Sequence, residues 1–163
     1  MSEDRELFAG NEKPDASGMR LAVVAARFNS SITDKLLAGA VEALQEAGAA
    51  TREIEIFRVP GCFELPLIAK SLAATGLYDG VIALGAVIRG ETPHFDYVSA
   101  ETARGLMQVA LDTEVPISFG VLTTDTYQQA ADRAGGSLGN KGADAAMTVV
   151  ETAAVLGLQR FSG

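Results

Sequence analysis

Four short apolar runs, each closed by a break and followed by helical spacing, constrain this chain more than any other feature of its sequence. Leu21–Ala26 (LAVVAA), Glu53–Val59 (EIEIFRV), Gly80–Gly85 (GVIALG) and Ile117–Leu122 (ISFGVL) all have strand length. The first is continuously apolar, as a strand buried on both faces must be. After Ser30–Thr33, the segment DKLLAGAVEALQEAG repeats Leu36, Leu37, Ala40, Val41 and Leu44 at helical spacing. Thr33 is its expected N-cap and Gly48 its expected C-cap. Pro60–Gly61 ends the second run, and Phe63–Thr75 reads as a helix with Pro66 in the first turn, where a missing N–H breaks no bond. A long loop follows the third run through His94, and Asp96–Asp112 then reads as a helix. After the fourth come a short helix over Thr126–Ala134, a loop AGGSLGNKG, and a final helix over Ala143–Leu156.

Strands alternating with helices in the order β-α-β-α-β-α-β-α-α imply a parallel sheet with right-handed crossovers. The expected fold is α/β: a three-layer α/β/α sandwich on a four-stranded parallel sheet with flavodoxin-like winding. Residues 1–17 are charged and irregular and read as a flexible N-terminal arm, leaving residues 18–163 as one domain.

Composition narrows the function. A net charge of -8 argues against nucleic acid and anionic membrane as partners, since both demand clustered Lys and Arg. One cysteine, Cys62, excludes an internal disulfide and suits a reducing, cytoplasmic setting. One Cys with one His makes a structural zinc site untenable. No apolar run approaches the ~18 residues of a membrane span, and the N-terminus has no apolar signal core.

In open parallel sheets, ligands bind beyond the carboxyl ends of the strands. The first such junction holds Arg27–Phe28–Asn29, and the second holds Pro60–Gly61–Cys62–Phe63–Glu64. The third holds Ala86–Val87–Ile88–Arg89–Gly90–Glu91–Thr92–Pro93–His94–Phe95–Asp96, and the fourth Thr123–Thr124–Asp125. Aromatics, both signs of charge and the single histidine therefore meet on one edge, as a small-molecule site requires. Each residue also has an ordinary role. Phe28 can staple a helix, Glu64 suits a helix start, Cys62 can be a packed thiol, and Arg133 and Lys141 can be solvated charges. RGET offers backbone N–H groups as an anion cradle but matches neither GxxxxGK[ST] nor GxGxxG, which disfavours a nucleoside triphosphate or dinucleotide.

The motifs are more specific than the grammar. ARFN (Ala26–Asn29), VPGCFELP (Val59–Pro66), GAVIRGETPHFDYV (Gly85–Val98), FGVLTTDT (Phe119–Thr126), DRAG (Asp132–Gly135) and GNKG (Gly139–Gly142) resemble, in order and spacing, the signatures of the lumazine synthases. The resemblance implies condensation of 5-amino-6-(D-ribitylamino)uracil with L-3,4-dihydroxy-2-butanone 4-phosphate to 6,7-dimethyl-8-ribityllumazine, the penultimate step of riboflavin biosynthesis. It implies no metal and no organic cofactor. By the same resemblance, Phe28 stacks on the pyrimidine with Asn29 beside it. Cys62, Phe63 and Glu64 line the ribityl chain and ring, and Ala86, Val87 and Ile88 present backbone groups to the ring edge. Gly90, Glu91 and Thr92 cradle the phosphate, with Arg133 paired to it as a guanidinium fork. His94 moves the protons, a role that suits the one side chain whose ordinary titration range brackets neutrality. Phe119, Arg133 and Lys141 come from an adjacent subunit. Two positions depart from the family pattern. Cys62 stands where Ala or Ser is usual, and Asp132 stands where Glu is common, one methylene shorter toward any hydrogen bond with His94.

The resemblance also implies a homopentamer. The compact AGGSLGNKG loop, without the insertion that blocks shells, points to a 60-subunit shell able to enclose a partner such as riboflavin synthase. The alternative is a non-catalytic flavin- or lumazine-binding or shell-forming protein of the same fold, which would need neither His94 nor Arg133. A flavodoxin-like electron carrier would want a Ser- and Thr-rich anion loop after the first strand, which RFNSSIT matches only faintly.

Overall fold

A computed structural model describes residues 13–162, with side chains described through residue 157. The elements are β1 (Leu21–Ala26), α1 (Ser30–Glu46), β2 (Ile54–Val59), α2 (Leu65–Ala73), β3 (Gly80–Ile88), α3 (His94–Thr113), β4 (Ile117–Thr124), α4 (Tyr127–Arg133), β5 (Ala134–Gly136), β6 (Gly139–Asn140) and α5 (Lys141–Ser162). The main sheet has the order β2-β1-β3-β4, and every pair in it is parallel. That is the flavodoxin-like winding expected, with the reversal of strand order between β1 and β3.

Burial explains the three layers. Along β1 every residue is buried, but alternate residues serve different cores. Leu21, Val23 and Ala25 pack with Ile32, Leu36 and Leu44 of α1 and Val149 and Val150 of α5. Ala22, Val24 and Ala26 pack with Leu65 and Ala69 of α2 and Leu106 and Val109 of α3. Each fully buried Val or Leu contributes roughly 1.5–3 kcal/mol, which is what a strand clad on both faces supplies and an amphipathic one does not.

Several boundaries differ from the sequence-based expectation, and each shift has a local cause. Helix α1 starts at Ser30, not after Thr33: Thr33 is buried inside it, and Asn29 precedes it in the left-handed region at φ 63°. The Asn29 carbonyl already accepts from Ile32 and Thr33 N–H at 2.9 and 3.0 Å. Gly48 lies just past the helix end at φ +101°, where a glycine relieves the strain of left-handed backbone. Strand β3 runs on to Ile88 because its register with β4 continues to Ile88↔Thr124. Helix α3 begins at His94, which therefore stands on a helix start and not in a loop. The expected loop after α4 is the hairpin β5–β6, turned by Gly135 and Gly139 at φ 93° and 80°. Helix α5 begins early because Asn140 Oδ1 accepts from Gly142 and Ala143 N–H at 2.8 and 3.1 Å.

The expected arm lies outside the described residues through residue 12. Of its last residues, Ala16 is fully buried and donates its N–H to Ala47 at 2.8 Å. Among the described residues, no helix is long and apolar enough to cross a membrane.

Candidate functional site

The carboxyl ends of β1, β2 and β3 converge, and backbone bonds lock them together. Arg27 N–H donates to Val59 at 2.8 Å and Phe28 N–H to Pro60 at 3.0 Å, so the first junction lies against the second. Asn29 Nδ2 donates to the Ala86 carbonyl at 2.9 Å and ties the first junction to the third. Its left-handed backbone turns the chain sharply and leaves Phe28 72% exposed. An aromatic held that far out of the core is placed to stack on a ligand.

Two adjoining cavities open beneath Phe28. One, of about 270 Å³, is lined by Phe28, Cys62, Ala86, Val87, Ile88, Gly90, Thr92, His94, Phe95 and Val98. The other, of about 580 Å³, is lined by Phe28, Pro60–Glu64, His94, Tyr97, Val98 and Glu101. Phe28, Cys62, His94 and Val98 border both, so they form one divided cleft. Most expected site residues thus come together. Glu91 is exposed beside the cleft but does not line it. Glu64 Oε2 accepts from Gly61 N–H at 3.0 Å, which steadies the carboxylate and leaves lone pairs for hydroxyls.

Cys62 forms the floor. It is 6% exposed, and burial pushes its thiol up to about 11. A thiol held in its neutral form packs, and does not attack. Gly85 faces it, and a Cβ there would run into Cys62 Sγ. His94, the first residue of α3, is exposed to the cleft, and its N–H reaches Thr92 Oγ1 at a long 3.5 Å.

Sequence reasoning left Tyr97, Val98 and Glu101 off the site. With His94 they fall at i, i+3, i+4 and i+7, one face of α3, a pattern that becomes visible once the helix starts at His94. Nothing in the spacing singles out Arg89. Its Nε donates to Asp125 at 2.9 Å and its Nη1 to Asp96 at 3.4 Å, while its guanidinium lies 4.3 Å over the Phe95 ring. The Asp125 bond, aided by the Asp96 charge, raises its pKa above the ordinary value.

Phe119, Arg133 and Lys141 are not brought to this cleft. They line a separate groove of about 560 Å³ along β4 and α5. There Phe119 is 47% exposed, Arg133 Nη1 donates to the Gln129 carbonyl at 2.9 Å, and Lys141 pairs with Asp144 at 3.2 Å. Among the described residues, neither cavity of the cleft is lined by a lysine or arginine.

Comparison with known proteins points to one family. The family model described as 6,7-dimethyl-8-ribityllumazine synthase matches residues 18–157. Proteins named 6,7-dimethyl-8-ribityllumazine synthase from two strains of Nitratidesulfovibrio vulgaris, DP4 and Hildenborough, are each 55% identical over 142 residues. Those alignments cover 87% of this chain and 91% of each relative.

Proposed function

The chain belongs to the 6,7-dimethyl-8-ribityllumazine synthase family, and from that membership we propose how its residues carry the reaction. The enzyme condenses 5-amino-6-(D-ribitylamino)uracil with L-3,4-dihydroxy-2-butanone 4-phosphate, releasing phosphate and two waters, in riboflavin biosynthesis.

The pyrimidine stacks on Phe28, its ribityl chain runs past Cys62, Phe63 and Glu64, and its edge meets the backbone of Ala86, Val87 and Ile88. Asn29 acts mainly through Ala86, whose carbonyl it holds. Gly90, Glu91 and Thr92 take the phosphate, beside His94. The substrate amine attacks the ketone, and the carbinolamine loses water to an imine. A proton leaves the adjacent carbon as phosphate departs. Tautomerisation and ring closure follow, and a second water is lost. His94 accepts and returns these protons, worth about 10²–10⁴-fold in rate. Holding two reactants in one cleft supplies a further large factor. No side-chain nucleophile is needed, in keeping with a neutral Cys62.

One observation carries the site assignment: among the described residues the cleft has its aromatic, carboxylate and imidazole but no cation, while Arg133 and Lys141 line another groove. A phosphate in a cleft bordered by Glu64 and Glu101 needs positive charge. A second copy, presenting Phe119, Arg133 and Lys141, supplies it. Because one face differs from the other, such contacts are head-to-tail, the kind that forms a ring when the rotation between copies closes. The ring is a homopentamer, and the compact β5–β6 hairpin favours its assembly into a 60-subunit shell that can enclose riboflavin synthase. The exposed apolar side chains Leu67 of α2 and Tyr97, Met107 and Leu111 of α3 support burial in an assembly. The lone buried thiol suits a reducing cytoplasm.

The test is complementation. Purified protein with both substrates should give stoichiometric lumazine absorbance and phosphate. His94→Ala and Arg133→Ala should each be weakly active alone, but co-assembled subunits should recover up to about one quarter of full activity, because some interfaces then pair two intact halves. No recovery on co-assembly would place both residues in one subunit's site and refute the shared cleft.

A further inference from the structure

We propose that Arg89 is a positioning residue, holding the anion loop and the start of α3 in the geometry that condensation needs. The inference rests on the site reading above and adds a residue to which that reading assigned nothing.

Arg89 stands where β3 ends and the loop Gly90–Pro93 begins. Its backbone N–H donates to Thr124 at 2.8 Å, extending the β3–β4 ladder by one bond. Its side chain then turns back across the loop's far end. There the guanidinium stacks 4.3 Å from Phe95 and reaches Asp96, the two residues after His94. Its third tie, at 2.9 Å, goes to Asp125, just before the residue that caps α4. One planar group thus fastens the loop's entrance to its exit, and both to the end of β4. Lysine cannot do this, because it lacks the planar fork and the stacking face.

Beyond Asp96 N–H donating to the Pro93 carbonyl at 3.0 Å, little else among the described residues holds the loop. A Cβ on Gly90 would meet nothing within 4 Å, and His94 N–H reaches Thr92 only at 3.5 Å. Meanwhile Arg89, Asp96 and Asp125 have side chains 45%, 60% and 67% exposed. Ion pairs that open to water add little to global stability. Their effect is local: they set where Gly90, Thr92 and His94 stand. The single guanidinium also offsets part of the negative charge that Asp96 and Asp125 place beside the loop. Phe28 is tied to Pro60 and Glu64 to Gly61, neither through Arg89, so the pyrimidine half of the cleft does not depend on Arg89.

The experiment is steady-state kinetics on the assembled enzyme, varying each substrate in turn. Arg89→Met should lower kcat about tenfold or more and raise KM for the ketose phosphate about tenfold, with KM for the pyrimidine held within about twofold, since small misplacements of a reacting group are costly. Arg89→Lys should fall between wild type and Arg89→Met. Asp125→Asn removes one tie, and should move the same two constants less; it provides the readout if Arg89→Met does not assemble. Equal shifts in both KM values, an unchanged kcat, or full activity in Arg89→Lys would overturn the proposal. His94→Ala, run alongside, separates the two failures. If it slows turnover while Arg89→Met does not, Arg89 alone is misassigned. If His94→Ala has no effect, the site reading falls and takes the proposal with it.

Discussion

The floor of the cleft offers the sharpest quantitative test. Gly85 lies in β3 opposite Val121 of β4, and its α-carbon faces Cys62. A methyl group there would collide with Cys62 Sγ and touch Ala26 Cβ and Leu65 Cδ1, each at 3.5 Å. Those two contacts are ordinary; the sulfur is the obstacle. Cys62 is 6% exposed, so the sulfur has little room except toward the cleft. Overpacking of this kind typically costs about 1–3 kcal/mol. In a domain of this size each kcal/mol moves the thermal midpoint by about 2–4 °C, so Gly85→Ala should lower it by roughly 2–12 °C. Cys62→Ala removes the obstacle and should itself cost about 1 kcal/mol. The double variant should then be more stable than the two single effects predict, by about 1 kcal/mol or more, as residues in contact are. Midpoints must be read at one protomer concentration, because association shifts them. The pyrimidine KM should rise in Gly85→Ala and recover in the double variant, because the displaced sulfur intrudes beneath Phe28. Additive effects, or a Gly85→Ala protein as stable as wild type, would refute the contact on which this rests.

Other outcomes follow from the same geometry. Arg133→Ala should raise KM for the ketose phosphate about tenfold or more and leave the pyrimidine KM unchanged, since only one substrate carries a phosphate; substrate-by-substrate kinetics would reveal an equal loss. His94→Ala should slow turnover about 10²–10⁴-fold without altering the sedimentation of the assembly, because an exposed first-turn residue contributes no core packing. The Cys62 thiol gives a pH dependence. Burial raises it from 9.0 to about 11, so the folded chain keeps a proton that the unfolded chain has lost. Stability should therefore fall as pH rises through that interval, by roughly 2–3 kcal/mol from this group. The difference in thermal midpoint between wild type and Cys62→Ala should trace that decline, and a flat difference would contradict it.

Much of the molecule was legible from its residues alone. The four apolar runs announced a parallel sheet because strands clad on both faces need continuous apolar sequence, and β1 is buried along its whole length. The motifs at the junctions carried the family, because the chemistry of a site is written in residue types at fixed offsets. Element ends were less readable. β3 and β4 each run past the segment expected as strand, since Ile88↔Thr124 pairing joins segments far apart in sequence. α3 starts at His94, two residues before the expected Asp96, and only with that start does His94 share a helix face with Tyr97, Val98 and Glu101. Arg89 stood in plain view within the third junction, yet its role rests on Asp96, Phe95 and Asp125 meeting one guanidinium, and no spacing predicts that. Sequence by itself determined the sheet, its layers, the family and the edge on which aromatics, charges and the histidine gather, because these follow from local periodicity and from which residue types are present. Tertiary structure alone decided that Asn29 braces Ala86, that Cys62 seals the floor against Gly85, and that Arg133 and Lys141 face a different groove from His94. Those are distances between residues remote along the chain, and only the folded backbone sets them.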